Sequence, residues 1–115
     1  MGYLVFGTPQ ESVRMDDRVL AHLKVVMLTK LRRHEGFPFT FDFDPSSGSG
    51  RATVWLNPSS HVQFRFEGSR QPAINKSWLE LMMLTANETD GLRLVEEPSE
   101  TWTAPTAIGT LSVQR

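Results

Sequence analysis

The sequence predicts an α+β domain of order ββ-α-βββ-α-β, an antiparallel meander sheet packed against two helices. Three observations carry that reading. Residues 51–68, RATVWLNPSSHVQFRFEG, alternate apolar and polar side chains on both sides of a turn-forming NPSS. FPFTFDFD, just upstream, repeats the period of two. DDRVLAHLKVVMLTKLRRHEG and NKSWLELMMLTANETDG instead space their apolar residues three and four apart. Period two is the signature of a half-buried strand, and spacings of three and four are that of an amphipathic helix.

Each element follows in order. YLVFG, TPQ and ESVRM read as an N-terminal hairpin around a Gly-Thr-Pro turn. The first helix opens at Asp16 or Asp17, either of which suits an N-cap, and the second aspartate favours the positive end of the dipole. Val19, Leu20, Leu23, Val26, Met27 and Leu31 make its apolar stripe, and His22 falls near its polar side. Lys30, Arg32, Arg33 and His34 crowd the last turn, where cations are favoured, and Gly36 is the expected stop.

In FPFTFDFD, Phe37, Phe39, Phe41 and Phe43 share one face, and Pro38, near the start, suggests an edge or entry position. After the PSSGSG loop comes the alternating pair of strands. Ala52, Val54 and Leu56 fall on the core face with Val62, Phe64 and Phe66. Arg51, Thr53, Trp55, Asn57, His61, Gln63, Arg65 and Glu67 take the other. Cross-strand partners must share a face. Setting Asn57 opposite His61 then pairs Trp55 with Gln63, Thr53 with Arg65, Arg51 with Glu67, Val54 with Phe64 and Ala52 with Phe66. The same parity allows Phe43 opposite Ala52 and Asp44 opposite Arg51.

The second helix is capped by Asn75, or by a box of Ser77 with Glu80. It buries Trp78, Leu79, Met82, Met83 and Ala86 and stops at Asp90-Gly91. LRLVEEP gives a last short strand. Residues 1–98 thus form a single α+β domain. The Thr-, Pro- and Ala-rich 99–115 lacks periodicity and reads as a C-terminal tail, mobile or acting as a docking arm.

Composition narrows the function classes. A chain of 115 residues can bury a core of its own. A net charge of −1 gives no global attraction to nucleic acid or anionic membrane, so such binding would need a local patch. With no cysteine, disulfides and thiolate-bound metals are excluded. The start MGYLVFGTPQ has no basic, long-apolar leader pattern, and no segment is apolar for long enough to span a bilayer. The expectation is a soluble cytoplasmic protein without membrane contact.

Motifs for chemistry are sparse. His22, His34 and His61 form no HxxxH or HxH pair. Ser59, Ser60 and His61 are neighbours, but with Pro58 they make better turn residues than a triad. Asp42 and Asp44 share a strand face where two carboxylates can hold a divalent ion, yet pairing with Arg51 is the simpler role. GSGR at 48–51 lacks the spacing and lysine of a phosphate loop. No catalytic residue, metal ligand or cofactor is assigned.

The strongest binding candidates are basic and aromatic: Arg32, Arg33, Arg51, Trp55, His61, Arg65 and Arg70. They converge if the end of the first helix lies beside the sheet rim. Arginines around a stacking ring suit single-stranded nucleic acid. Exposed aromatics on a polar sheet face equally mark protein interfaces.

DDRVLAHLKVVMLTKLRR, GSGRATVWLNPS, GSRQPAINKSWLELMMLTAN and GLRLVEEP together resemble a family of short actinobacterial proteins. Its members are automatically labelled "ATP-dependent DNA ligase" or uncharacterised. The resemblance covers residues 1–98 and implies a role in or beside DNA ligation. Nucleotidyltransferase ligases attack ATP with the lysine of KxDG. The nearest string here is Glu88-Thr89-Asp90-Gly91, with glutamate at the nucleophile position and a helix stop around it. The expected function is therefore a non-catalytic binding domain, a protein-interaction or self-association module acting through Trp55. The alternative is a DNA-binding accessory without ligase activity of its own.

Overall fold

The computed structural model describes residues 1–42, 48 and 50–101. Its elements are β1 (Gly2–Phe6), β2 (Glu11–Met15), α1 (Asp17–Arg32), β3 (Phe37–Asp42), β4 (Arg51–Leu56), β5 (Val62–Phe66), α2 (Lys76–Ala86) and β6 (Leu92–Arg93). The α+β class and the element order are those the periodicities predict. Phe43 and Asp44 lie outside the described residues, as does 102–115 of the expected tail, but the register expected for them is not the one formed: Ala52 and Arg51 are paired two residues earlier in β3, with Phe41 and Asp42.

The strands form two three-stranded sheets, β2-β1-β5 and β4-β3-β6, in place of one meander. β4 pairs antiparallel with β3, setting Phe41 opposite Ala52, Asp42 opposite Arg51 and Pro38 opposite Trp55. β5 turns away after the Asn57–Ser60 turn and pairs with β1 instead: Phe6 with Val62, Leu4 with Phe64, Gly2 with Phe66. The expected Asn57–His61, Trp55–Gln63, Thr53–Arg65, Arg51–Glu67, Val54–Phe64 and Ala52–Phe66 pairs are therefore not made. Both arrangements keep Val62, Phe64 and Phe66 on the inner face. Parity fixes which face a residue takes and leaves the partner strand open. The Ser60 N–H donates to the Asn57 carbonyl at 2.8 Å, and the Ser60 hydroxyl accepts from the Asn57 N–H at 2.9 Å, so the turn satisfies itself without a ladder behind it. β6 adds to β3 in parallel, Leu92 beside Phe39.

The core lies between the sheets and the helices. Leu4, Phe6, Phe37, Phe39 and Leu56 meet Leu20, Leu23, Met27, Trp78 and Met82. Phe6 bridges the sheets, edge-on to Phe39 and Phe41 at centroid distances of 6.5 and 5.8 Å. On the far side of β3, Thr40 is buried. Its hydroxyl donates to the Asp90 carbonyl at 2.7 Å, so the 2.7 Å bond to Thr53 takes its proton from Thr53.

Both helices begin at expected cap residues, and their C-terminal ends differ from expectation. Asp16 holds the N-cap of α1 without a side-chain bond. The carboxylate of Asp17 reaches sideways instead and accepts the Gly68 N–H at 2.8 Å, tying α1 to the end of β5. At the other end, His34 takes the left-handed turn at φ 61°, not Gly36. α2 is capped by Asn75, whose side-chain oxygen accepts the Ser77 and Trp78 N–H groups at 3.0 and 3.4 Å. α2 ends at Ala86, and Gly91, at φ 75°, brings the chain back against the Pro38 carbonyl where a Cβ would collide.

His22 is buried, not on a polar face. Its Nδ1–H donates to the Arg18 carbonyl at 2.7 Å, and its Nε2 accepts the Asn75 N–H at 2.9 Å. These two bonds define a neutral ring in one tautomer. Burial pushes its pKa below the ordinary value, against the weaker opposing pull of the Arg18 backbone bond. The ring lies against Trp78 at 4.4 Å. Around it, Arg18 makes a two-pronged bond to Glu97 at 2.9 and 2.6 Å and reaches the Ala73 carbonyl at 2.6 Å. Asn75 donates to Glu97 and to the Pro98 carbonyl. Together they lock the chain before α2, and the chain after β6, onto α1.

Candidate functional site

Trp55 is 62% exposed, the most exposed large apolar side chain among the described residues. Two things place it. It stands on β4, an edge strand of its sheet, and its indole rests against Gly36, where a Cβ would overlap the ring. With glycine at 36, the chain leaving α1 passes against that ring without displacing it. The end of α1 therefore does reach the sheet rim, just past Arg33.

Trp55 shares a groove of 440 Å³ with Phe6, Gly7, Pro9, His61 and the Ser59–Ser60 turn. Val54 and Leu56 line it too. Consecutive strand residues point to opposite faces, so a groove touched by 54, 55 and 56 runs along the outer edge of β4 and not over either face. Its far wall is the β1–β2 turn, and the Gly7 N–H donates to the His61 carbonyl at 3.2 Å, fixing that wall to the start of β5. Phe6, a core residue, contributes to the lining.

The other residues singled out from sequence are divided among separate places. His61 joins Trp55 in the groove. Arg51 opens a second recess of 220 Å³ with Arg14, Arg93, Asp42 and Asp90. Arg65 projects from β5 opposite Tyr3, on the other sheet from Trp55. Arg70 lies in a third hollow beside α1. Arg32 and Arg33 are exposed at the end of α1. None of these five arginines is in an ion pair among the described residues. Glu67, expected opposite Arg51, faces the terminal amino group of Met1 at 3.5 Å instead. Among the described residues no three His, Asp or Glu side chains gather as a metal site, and no helix is long and apolar enough to cross a membrane.

The edge of β4 was missed in the sequence because a continuous meander would have left it paired. The visible signal was Trp55 itself, a large ring where alternation demanded a polar residue.

No curated protein and no solved structure matches the chain. A family model does, over residues 1–97, and it takes in both sheets, both helices and the Trp55 groove. The chain belongs to DUF7882, a family described as a domain of unknown function.

Proposed function

We propose that this chain is a small, non-catalytic binding domain that takes an extended segment of a protein partner along the outer edge of β4, with Trp55 as the anchor. The observation that carries the reading is the position of Trp55, 62% exposed on an edge strand and lining a groove that reaches the core residue Phe6. An edge strand presents a row of backbone donors and acceptors, and proteins ordinarily blunt such rows with charge, proline or a covering loop. Between Ala52 and Leu56 β4 carries neither charge nor proline. A strand laid beside it would gain backbone bonds from β4 and a buried aromatic contact from Trp55. A second copy of the chain is one such partner.

Displayed random peptides selected on the wild-type protein test this reading. Recovered peptides should slow amide exchange in β4 and lose about tenfold or more in affinity for Trp55→Ala. Sedimentation over a range of concentrations separates self-association from a foreign partner. A constant monomer mass together with peptides indifferent to Trp55→Ala overturns the reading.

A DNA-binding accessory role is the second reading. The recess shared by Arg14, Arg51 and Arg93 favours it, as does the resemblance to short actinobacterial proteins with a ligase label. Asp42 and Asp90 line the same recess, and Arg93 already pairs with Glu88 at 3.2 Å, which leaves less positive charge for phosphate. Anisotropy of labelled single-stranded and nicked DNA at two salt concentrations decides it. Saturable binding that falls steeply with salt would replace the peptide reading.

A further inference from the structure

A third hollow, of 390 Å³, lies between α1 and the loop that follows β5. Ala21, Lys24 and Val25 form one wall, at the spacing that puts them on a single helix face. Phe66 and the loop from Gly68 to Ile74 close the other side. We propose that this groove binds an acidic, amphipathic peptide segment of a partner protein, with an apolar side chain between Val25 and Ile74 and carboxylates on Lys24 and Arg70.

Two independent observations lead there. The first is a fixed apolar wall. Ile74 is 44% exposed and Val25 39%, two large aliphatic side chains facing one hollow. Ile74 is not on a loose stretch of chain. The Ala73 carbonyl before it accepts from Arg18, and the Asn75 N–H after it donates to the buried His22. An apolar residue pinned on both sides in contact with water keeps an ordered surface ready, so a ligand spends little ordering it.

The second observation is charge. Lys24 sits over the Phe66 ring at 5.7 Å, and neither Lys24 nor Arg70 is in an ion pair among the described residues. No acidic side chain lines the groove. Asp17 stands nearby, but its oxygens accept the Glu67 and Gly68 N–H groups and face the Met1 amino group. Two cations around an aliphatic floor complement a segment that carries both carboxylates and an aliphatic anchor. Unpaired bases of a single strand would stack on a ring, and Lys24 lies over the Phe66 ring in this groove.

The test is fluorescence anisotropy of a labelled hexapeptide with two central leucines flanked by acidic pairs. Saturable binding is expected. It should weaken about tenfold in Lys24→Glu/Arg70→Glu, the sum of two surface charge contacts. That variant should in turn bind the version of the peptide flanked by lysines. Lys24→Gln/Arg70→Gln provides the milder change, with circular dichroism confirming the fold, and Ile74→Ser should weaken both peptides. Trp55→Ala should leave all of these titrations unchanged, which keeps this groove separate from the β4 edge. No binding by the wild type at millimolar peptide, or undiminished binding of the acidic peptide by the charge variants, overturns the proposal.

Discussion

Gly36 packs against the six-membered ring of the Trp55 indole so closely that a methyl group at 36 would overlap Cζ2. Gly36→Ala would therefore push the ring off its seat. Because Trp55 is mostly in water, the ring can swing outward, and the stability cost should stay under about 1 kcal/mol. Its emission should shift to the red, and binding at the β4 groove should weaken. Urea unfolding and tryptophan fluorescence check both arms.

Two tryptophans should respond to truncation with very different costs. Trp55→Ala removes an exposed ring and should change stability by about 0.5 kcal/mol or less. Trp78→Ala empties a buried site between the helices and leaves the Val95 carbonyl without its 3.0 Å bond from the indole N–H. Its cost should be about 3–5 kcal/mol. Parallel denaturant titrations of the two variants measure the contrast.

The buried neutral His22 makes stability depend on pH. Its folded pKa lies below 6.5, so the unfolded chain takes up a proton that the native state refuses. Stability is then full above pH 6.5 and declines as pH falls from there toward the lowered native value. A second decline follows from Glu97, whose hydrogen bonds from Arg18 and then Asn75 hold its pKa at about 2 against an ordinary 4.5. Stability from that group is lost as pH falls from 4.5 toward 2. His22→Phe should remove the first decline and keep the second. It should also cost about 1–3 kcal/mol at neutral pH, because the Asn75 N–H loses its buried acceptor. Urea midpoints across the acid range separate the two steps.

Gly91→Ala should be severe. The residue combines a left-handed backbone with contact against the Pro38 carbonyl, so the variant meets both a conformational and a steric penalty. A loss of about 2–4 kcal/mol is expected. A urea midpoint within error of the wild type would contradict it.

Most elements were legible in the sequence because their periods differ. The phenylalanines at 37, 39 and 41 and the stripe from Val19 to Met27 declared strand and helix locally. The partner of β5 was not legible. Gly2, Leu4 and Phe6 offer Val62, Phe64 and Phe66 the same inward face that Ala52, Val54 and Leu56 do, and that parity does not say which strand is nearer. His22 was misplaced for a different reason. Positions 22, 26 and 30 form one row along α1, and all three are buried, the outer two as His22 and Lys30. The row was visible, but its polar members pointed the reading toward solvent. What covers them is remote in sequence. Asn75 reaches His22, and Asn87 accepts from the Lys30 ammonium at 2.8 Å. For the candidate site, Trp55 stood out by its type, whereas the scatter of the arginines over different faces came from the division into two sheets.

That division sets a schedule for synthesis. β1 cannot complete its sheet until β5 emerges, sixty residues after Phe6. At roughly 5–20 residues per second, Phe6 precedes Phe66 off the ribosome by about 3–12 s. Through that interval β1 is paired only with the short β2, although α1 and then Phe39 and Phe41 of β3 are already available to pack on it. The second edge of β1 thus stays unpaired in the nascent chain until β5 closes it.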